Sequence, residues 1–121
     1  MTFFIVDDST VLRTIVKTTL SNYGYSDTVE AEDGEDALNK LNKLNKKVDL
    51  FILDINMPKL NGLELLEEIR KKDKSTPIIM LTTESDKEKM VLAKELGATG
   101  WIIKPFEKEK FMKVIEMLIK K

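Results

Sequence analysis

The sequence contains no cysteine and no histidine. The first absence excludes disulfides, thiol nucleophiles and thiolate metal sites. The second removes the commonest general base and the commonest transition-metal ligand. No apolar run approaches the roughly 20 residues that a membrane span needs. The opening Met1-Thr2-Phe3-Phe4 runs straight into a strand-like segment, leaving no room for the basic n-region of a signal peptide. The formal net charge is only −1 and the two signs are interspersed, so neither nucleic acid nor an acidic membrane is an expected partner. A soluble cytoplasmic protein is the default expectation. Its chemistry must come from carboxylates, hydroxyls, lysines, amides and a hard metal ion.

What remains is a chain of 121 residues, enough for one domain spanning 1–121 around a single core. Short apolar, β-rich runs alternate with longer helical patterns. The runs are 3–6, 28–31, 50–53, 78–81 and 101–103. Three are almost continuously apolar, as expected of strands covered on both faces. The run at Thr28 is the most polar and belongs at a sheet edge. Helical stretches begin near Ser9, Gly34, Gly62, Asp86 and Glu107. The first carries Val11, Leu12, Ile15, Val16 and Leu20 on one stripe. Asn61 with Glu64, and Ser85 with Glu88, have capping-box spacing. Gly97 stands where the fourth helix needs a left-handed terminus. No internal repeat, low-complexity tract or linker interrupts the pattern.

Five β-α pairs predict an α/β fold: a doubly wound, five-stranded parallel sheet with five helices on its two faces. The order 2-1-3-4-5 puts the polar second strand at an edge. In such sheets ligands bind beyond the carboxyl ends of the strands, where the winding reverses.

The polar residues that follow the apolar runs therefore carry the functional argument. The first run is followed by Asp7-Asp8, the third by Asp54 with Asn56 beyond it. Thr82, Thr83 and Glu84 close the fourth, and Lys104-Pro105 follows the fifth. The second run offers Glu32 and Asp33 on the far side. Neighbouring strands lie about 4.8 Å apart, so Asp7, Asp8 and Asp54 would crowd together. Two carboxylates ~5 Å apart repel by roughly 3 kcal/mol at an effective dielectric of about 20. Such a cluster either takes up protons or holds a cation. Carboxylate oxygens and a loop carbonyl suit Mg²⁺, which retains water and leaves room for a phosphoryl oxygen. With Thr82 as hydroxyl donor and Lys104 as ammonium, these are the parts of a phosphoryl-transfer site in which Asp54 attacks in line.

These features resemble the response-regulator receiver family over nearly the whole chain, and the single-domain chemotaxis regulators in particular. The motifs that carry the resemblance are Val6-Asp7-Asp8-Ser9, Asp54 with Met57-Pro58 and Gly62, Thr82, and Lys104-Pro105-Phe106. The resemblance implies that Asp54 is the phosphoacceptor and Asp7 and Asp8 the acidic metal pair, with Asn56 lending its backbone carbonyl to Mg²⁺. It implies Thr82 as switch hydroxyl, Lys104 as phosphoryl contact and a cis peptide between Lys104 and Pro105. Asn56 and Glu84 match positions that tune phosphoryl lifetime. Trp101 aligns with the switch aromatic, usually Tyr or Phe; a static aromatic is the equal alternative, since indole is bulkier and its N–H needs a partner when buried. The implied donor is a histidine kinase or histidine phosphotransfer protein. The implied output face is helix 4–strand 5–helix 5, with Met90, Val91, Trp101 and Met112, most of them expected in the core. With the chain closing at Lys120-Lys121 after the fifth helix, output by protein contact is expected.

Plainer readings compete. Asp7 and Asp8 could be helix N-caps, Thr82 a turn residue, Lys104 a solvated lysine and Glu84 a first-turn acid. Pro58 and Gly62 read as loop geometry without chemistry. A Mg²⁺-dependent phosphohydrolase forming an aspartyl-phosphate would want a second Asp where Asn56 stands. A flavin-binding carrier would want a phosphate-binding first loop, which Asp7-Asp8 would repel. A degenerate, unphosphorylated receiver would lack a site residue, and none is missing.

Overall fold

The computed structural model describes residues 1–119; the closing pair Lys120-Lys121 lies outside the described residues. Strands and helices alternate without exception: β1 (Thr2–Val6), α1 (Thr10–Asn22), β2 (Asp27–Ala31), α2 (Gly34–Lys43), β3 (Leu50–Leu53), α3 (Gly62–Lys72), β4 (Ile78–Thr82), α4 (Lys87–Leu96), β5 (Gly100–Ile103) and α5 (Lys108–Ile119). Every strand pairing is parallel, and the order is β2-β1-β3-β4-β5. Parallel neighbours cannot be joined by a tight turn, so each connection crosses a face of the sheet as a helix. Winding starts at β1 and proceeds in both directions, which leaves the crevice at the β1/β3 junction open above the strand ends.

The two-residue period of the strands sorts the core into two layers. Phe4, Val6, Phe51, Leu53, Ile78 and Met80 face one way and pack against Ala37 of α2, Leu65, Leu66 and Ile69 of α3 and Ala93 of α4. Phe3, Ile5, Leu50, Ile52, Ile79 and Leu81 face the other way, against Val16 and Leu20 of α1 and Phe111, Met112 and Ile115 of α5. β1, β3 and β4 are therefore buried on both faces, which is why their sequences read as unbroken apolar runs. β2 lies at an edge with mostly half-buried residues, as its polarity predicts.

Helix ends follow local chemistry. Ser9 caps α1, its hydroxyl accepting from the Leu12 amide. Asn61 and Glu64 form the expected capping box at α3. Gly97 ends α4 with φ 107°, a conformation in which a side chain would be strained. The box expected between Ser85 and Glu88 does not form. The Glu84 carboxylate accepts from the Asp86 amide and extends the turn by one residue, so Asp86 becomes the cap and accepts from the Glu88 amide at 2.9 Å.

The stripe expected on α1 also needs correction. Leu12, Val16 and Leu20 recur every four residues and face the sheet, but Val11 and Ile15 sit one residue earlier, about 100° around the helix. Val11 is 70% and Ile15 38% exposed. Of the four apolar residues expected mostly in the core around α4, β5 and α5, only Met112 is fully buried. Met90 and Trp101 are half-buried and Val91 is exposed.

Candidate functional site

Register places the acidic residues before any side chain is considered. Val6 pairs with Leu53, so the next residue of each strand, Asp7 and Asp54, leaves the sheet side by side. The pairing persists one step further, with the Asp54 amide donating to the Val6 carbonyl at 3.0 Å. Thr82 pairs with Ile103, so Lys104 follows directly, its amide bonded to the Thr82 carbonyl at 2.9 Å. Asp7, Asp8, Asp54, Thr82 and Lys104 therefore stand at the same end of the sheet.

Their side chains converge. One carboxylate oxygen from each of Asp7, Asp8 and Asp54 lies within 4.8 Å of the other two. Asp7 and Asp54 are buried and Asp8 is exposed, so the cluster opens to solvent on one side. The Lys104 ammonium donates to Asp7 Oδ2 at 2.9 Å and reaches Asp54 Oδ2 at 3.4 Å. With its side chain only 14% exposed, Lys104 is no solvated surface lysine. The reading of Asp7 or Asp8 as the helix cap also falls, since Ser9 holds that role and its amide donates to Asp7 Oδ1 at 2.9 Å. Three carboxylates share a single ammonium, so acidic groups outnumber basic ones in a half-buried pocket whose acidic donors are all oxygen. That donor set fits a hard divalent cation such as Mg²⁺.

Thr82 is fully buried, and its hydroxyl oxygen accepts from the Glu84 amide at 3.2 Å. The Glu84 carbonyl in turn accepts from the Trp101 indole N–H at 3.1 Å, which supplies the partner a half-buried indole needs. The Glu84 carboxylate does not join the acidic cluster. It pairs with Lys89 at 2.9 Å, and this contact, with the Asp86 amide, holds its carboxyl below the usual range. Asn56 is exposed, and its amide donates to Asp54 Oδ1 at 3.4 Å. Asp33 caps α2 by accepting from the Asp36 amide, and neither Glu32 nor Asp33 enters the cluster. The Lys104–Pro105 peptide is cis, as expected.

Two residues escape a motif-based reading, and a third has a tighter role than the motif suggests. Arg13 donates to the Asp7 carbonyl and to Glu30 at 3.1 Å, backing the acidic loop from the first turns of α1. Its position six residues after Asp7, on a helix that starts beside it, is the only signal the sequence carries. Lys89 is a second, visible only as a cation five residues after Glu84. The third is Gly62. A Cβ there would lie 2.0 Å from the Asp54 carbonyl oxygen and 2.8 Å from the Ile55 Cα, both rigid backbone. Glycine at this position lets α3 start against the residue that precedes the loop, so it does more than shape a turn.

Residues 3–116 match the family model of the response regulator receiver domain. Chemotaxis protein CheY1 of Helicobacter pylori is 40% identical over 98% of this chain and 97% of its own length. Chemotaxis protein CheY-3 of Vibrio cholerae is 40% identical over 98% and 94%. Among solved structures, chemotaxis protein CheY4 of Vibrio cholerae matches with a TM-score of 0.87 at 40% identity, covering 97% of both chains. A receiver domain protein from Clostridium thermocellum reaches 0.88 at 26% identity, over 98% of this chain and 93% of that one. Strand order, the converging acids and lysine, and near-complete coverage agree, and the phosphohydrolase and flavin-carrier readings gain no support. The chain belongs to the response regulator receiver domain family.

Proposed function

We propose that this chain is a single-domain response regulator that accepts a phosphoryl group on Asp54 from the phosphohistidine of a histidine kinase or phosphotransfer protein. The observation that supports it most is the buried Asp54 carboxylate, flanked by Asp7 and Asp8 and reached by Lys104. An Asp54 oxygen forms the bond to phosphorus as the P–N bond to the donor imidazole breaks. The nucleophile is itself a carboxylate oxygen, so the reaction calls for no histidine on this chain. Asp7, Asp8, Asp54 and the Asn56 carbonyl would hold Mg²⁺, which when bound supplies positive charge against the phosphoryl oxygens. Lys104 exchanges its contact with Asp54 for one with the transferred group. The chain catalyses only its own phosphorylation and dephosphorylation.

Thr82 links the site to the distal face. For its hydroxyl to donate to a phosphoryl oxygen it must turn, which loosens its bond to the Glu84 amide. Glu84 is the residue whose carbonyl holds the Trp101 indole and whose carboxylate holds Lys89 of α4. Phosphorylation thus biases the β4–α4 loop and the face beyond it. That face carries a groove of about 340 Å³ lined by Met90, Val91, Ala93, Lys94, Ala98 and Trp101, suited to an output protein. Relatives named as chemotaxis proteins support a chemotaxis output. Asn56 and Glu84 set phosphoryl lifetime, Glu84 after release from Lys89; equal decay in a Glu84→Ala, Asn56→Ala double variant would contradict this.

The central reading is tested by incubation with MgCl₂ and acetyl phosphate followed by mass spectrometry. One phosphoryl adduct is expected, absent without the metal and absent in Asp54→Asn. An adduct that survives Asp54→Asn would reject it.

A further inference from the structure

A second concavity lies at the other end of the sheet. Helices run back across a parallel sheet, so the C-terminal ends of α2 and α3 sit below the strand starts, far from Asp54. There a cleft of about 410 Å³ opens between them, within the size range of small-molecule sites. Its walls are aliphatic and aromatic: Leu38, Leu41, Leu44, Val48, Phe51 and Ile69. Val48, Phe51 and Ile69 belong to the buried core, while the three leucines are half-buried and keep part of their surface toward the cleft. Apolar walls around an open concavity are unfavourable to leave in water.

The rim is cationic. Lys46, Lys47 and Lys72 all border the cleft. Lys46 pairs with Asp27 at 2.8 Å. Lys47 and Lys72 have no carboxylate partner among the described residues; Lys72 reaches only the Asn42 side-chain oxygen at 3.4 Å. The two acids at the rim are committed elsewhere. Glu68 pairs with Lys71 at 2.8 Å, and Asp73 accepts from the Ser75 and Thr76 amides and the Thr76 hydroxyl. An apolar interior below two unpaired ammoniums complements a molecule with an alkyl tail and an anionic head.

We infer that the cleft between α2 and α3 binds a free small amphiphilic carboxylate, its tail among Leu38, Leu41, Leu44 and Phe51 and its head between Lys47 and Lys72. Neither the acidic site nor the α4–β5 groove is involved, so the inference stands or falls apart from the phosphoacceptor reading.

Decanoate, below its micellar range, is the probe. Titration followed by amide ¹H–¹⁵N spectra should give saturable shifts centred on residues 38–51 and 69–73. Decanol and decyltrimethylammonium should bind at least about tenfold more weakly, since they lack the charge that two ammoniums recognise. The double variant Lys47→Glu, Lys72→Glu should weaken decanoate binding by about tenfold or more, while its far-ultraviolet circular dichroism spectrum and the dispersion of its amide resonances match the native chain, which shows the fold intact. Leu41→Trp, which fills the cleft without touching a charge, should also abolish the shifts. Absence of saturable shifts, shifts centred on 90–101, or equal affinity for decanol would overturn the inference. Self-association through the leucine face in place of decanoate uptake would overturn it too.

Discussion

Replacing Asp54 by asparagine should stabilise the metal-free protein and destabilise it, relative to the native chain, once magnesium is present. The oxygens of Asp7, Asp8 and Asp54 lie within 4.8 Å of one another. Unit charges at that separation repel by about 3.5 kcal/mol at an effective dielectric of about 20. Asp54 therefore meets about 5–7 kcal/mol of repulsion, the lower figure allowing for stronger screening at exposed Asp8. Lys104, 3.4 Å from Asp54, returns about 5 kcal/mol on the same basis. Asp54 is also buried, and a buried carboxylate carries a desolvation penalty that a neutral amide largely escapes. The balance favours asparagine by about 1–2 kcal/mol, a rise in Tm of roughly 3–8 °C for a chain of this size. Magnesium at a hundred times its dissociation constant adds about 2.7 kcal/mol to the native protein and less to a variant with one fewer anionic ligand. The order of stability should consequently reverse between EDTA and saturating MgCl₂, read by circular dichroism melts of both proteins in both buffers. A lower Tm for Asp54→Asn in EDTA, or an equal magnesium response, would refute the electrostatic account of the site.

Gly62→Ala should cost at least about 2 kcal/mol in urea titrations and impair labelling by acetyl phosphate, because its Cβ meets the Asp54 carbonyl, which cannot move aside. Burial pushes the Asp73 carboxyl up, but the Thr76 hydroxyl and the Thr76 and Ser75 amides outweigh it and hold it below its ordinary 3.8. A lowered folded-state value means stability present above the unfolded value and lost as pH falls through the folded one. Asp73→Asn should then cost about 1 kcal/mol at pH 7, with the difference vanishing in melts well below pH 3.8. Glu84 obeys the same sign: its pair with Lys89 holds above the ordinary 4.5 and breaks as pH falls through the lowered value. Trp101 fluorescence should titrate in that acidic window, and Lys89→Met should move the transition upward; an unmoved transition would uncouple the ion pair from the indole. Saturating MgCl₂ or acetyl phosphate should also change Trp101 emission, and a response to neither would break the proposed link from Thr82.

The fold was legible because its determinants are periodic. Three short apolar runs set between helical patterns read as strands covered on both faces, and the polar run at 28–31 reads as an edge, which leaves few orders for five parallel strands. The expectations that failed are those in which neighbours one residue apart compete. Ser85 and Asp86 both suit a helix cap, and the choice fell to Asp86 through a bond from its amide to Glu84, a tertiary detail of the loop. Val11 and Ile15 read as part of an apolar stripe, but five apolar residues in ten positions cover a wider arc of helix than the sheet beneath can bury. Periodicity marks which face is apolar and says little about how much of it a given neighbour covers.

The acidic site was legible for a different reason: strand ends in a parallel sheet are forced to one edge, so residues distant in sequence become neighbours by topology alone. Asp7 and Lys104 are 97 positions apart and meet at 2.9 Å because their strands end on the same side. Topology delivers a side chain to the right rim but does not aim it. Glu84 stands two residues beyond Thr82, at the correct end of β4, and its carboxylate nonetheless pairs with Lys89 on α4. A helix residue five positions on decides this, through a contact that no strand-end rule contains. Gly62 shows the converse case, in which the constraint is backbone on backbone and leaves only the absence of a side chain as its trace. Where a site depends on strand register the sequence suffices to locate it. Where it depends on which way a carboxylate turns, only the assembled loop decides, and Glu84 turns toward Lys89 on α4 and away from the acidic pocket.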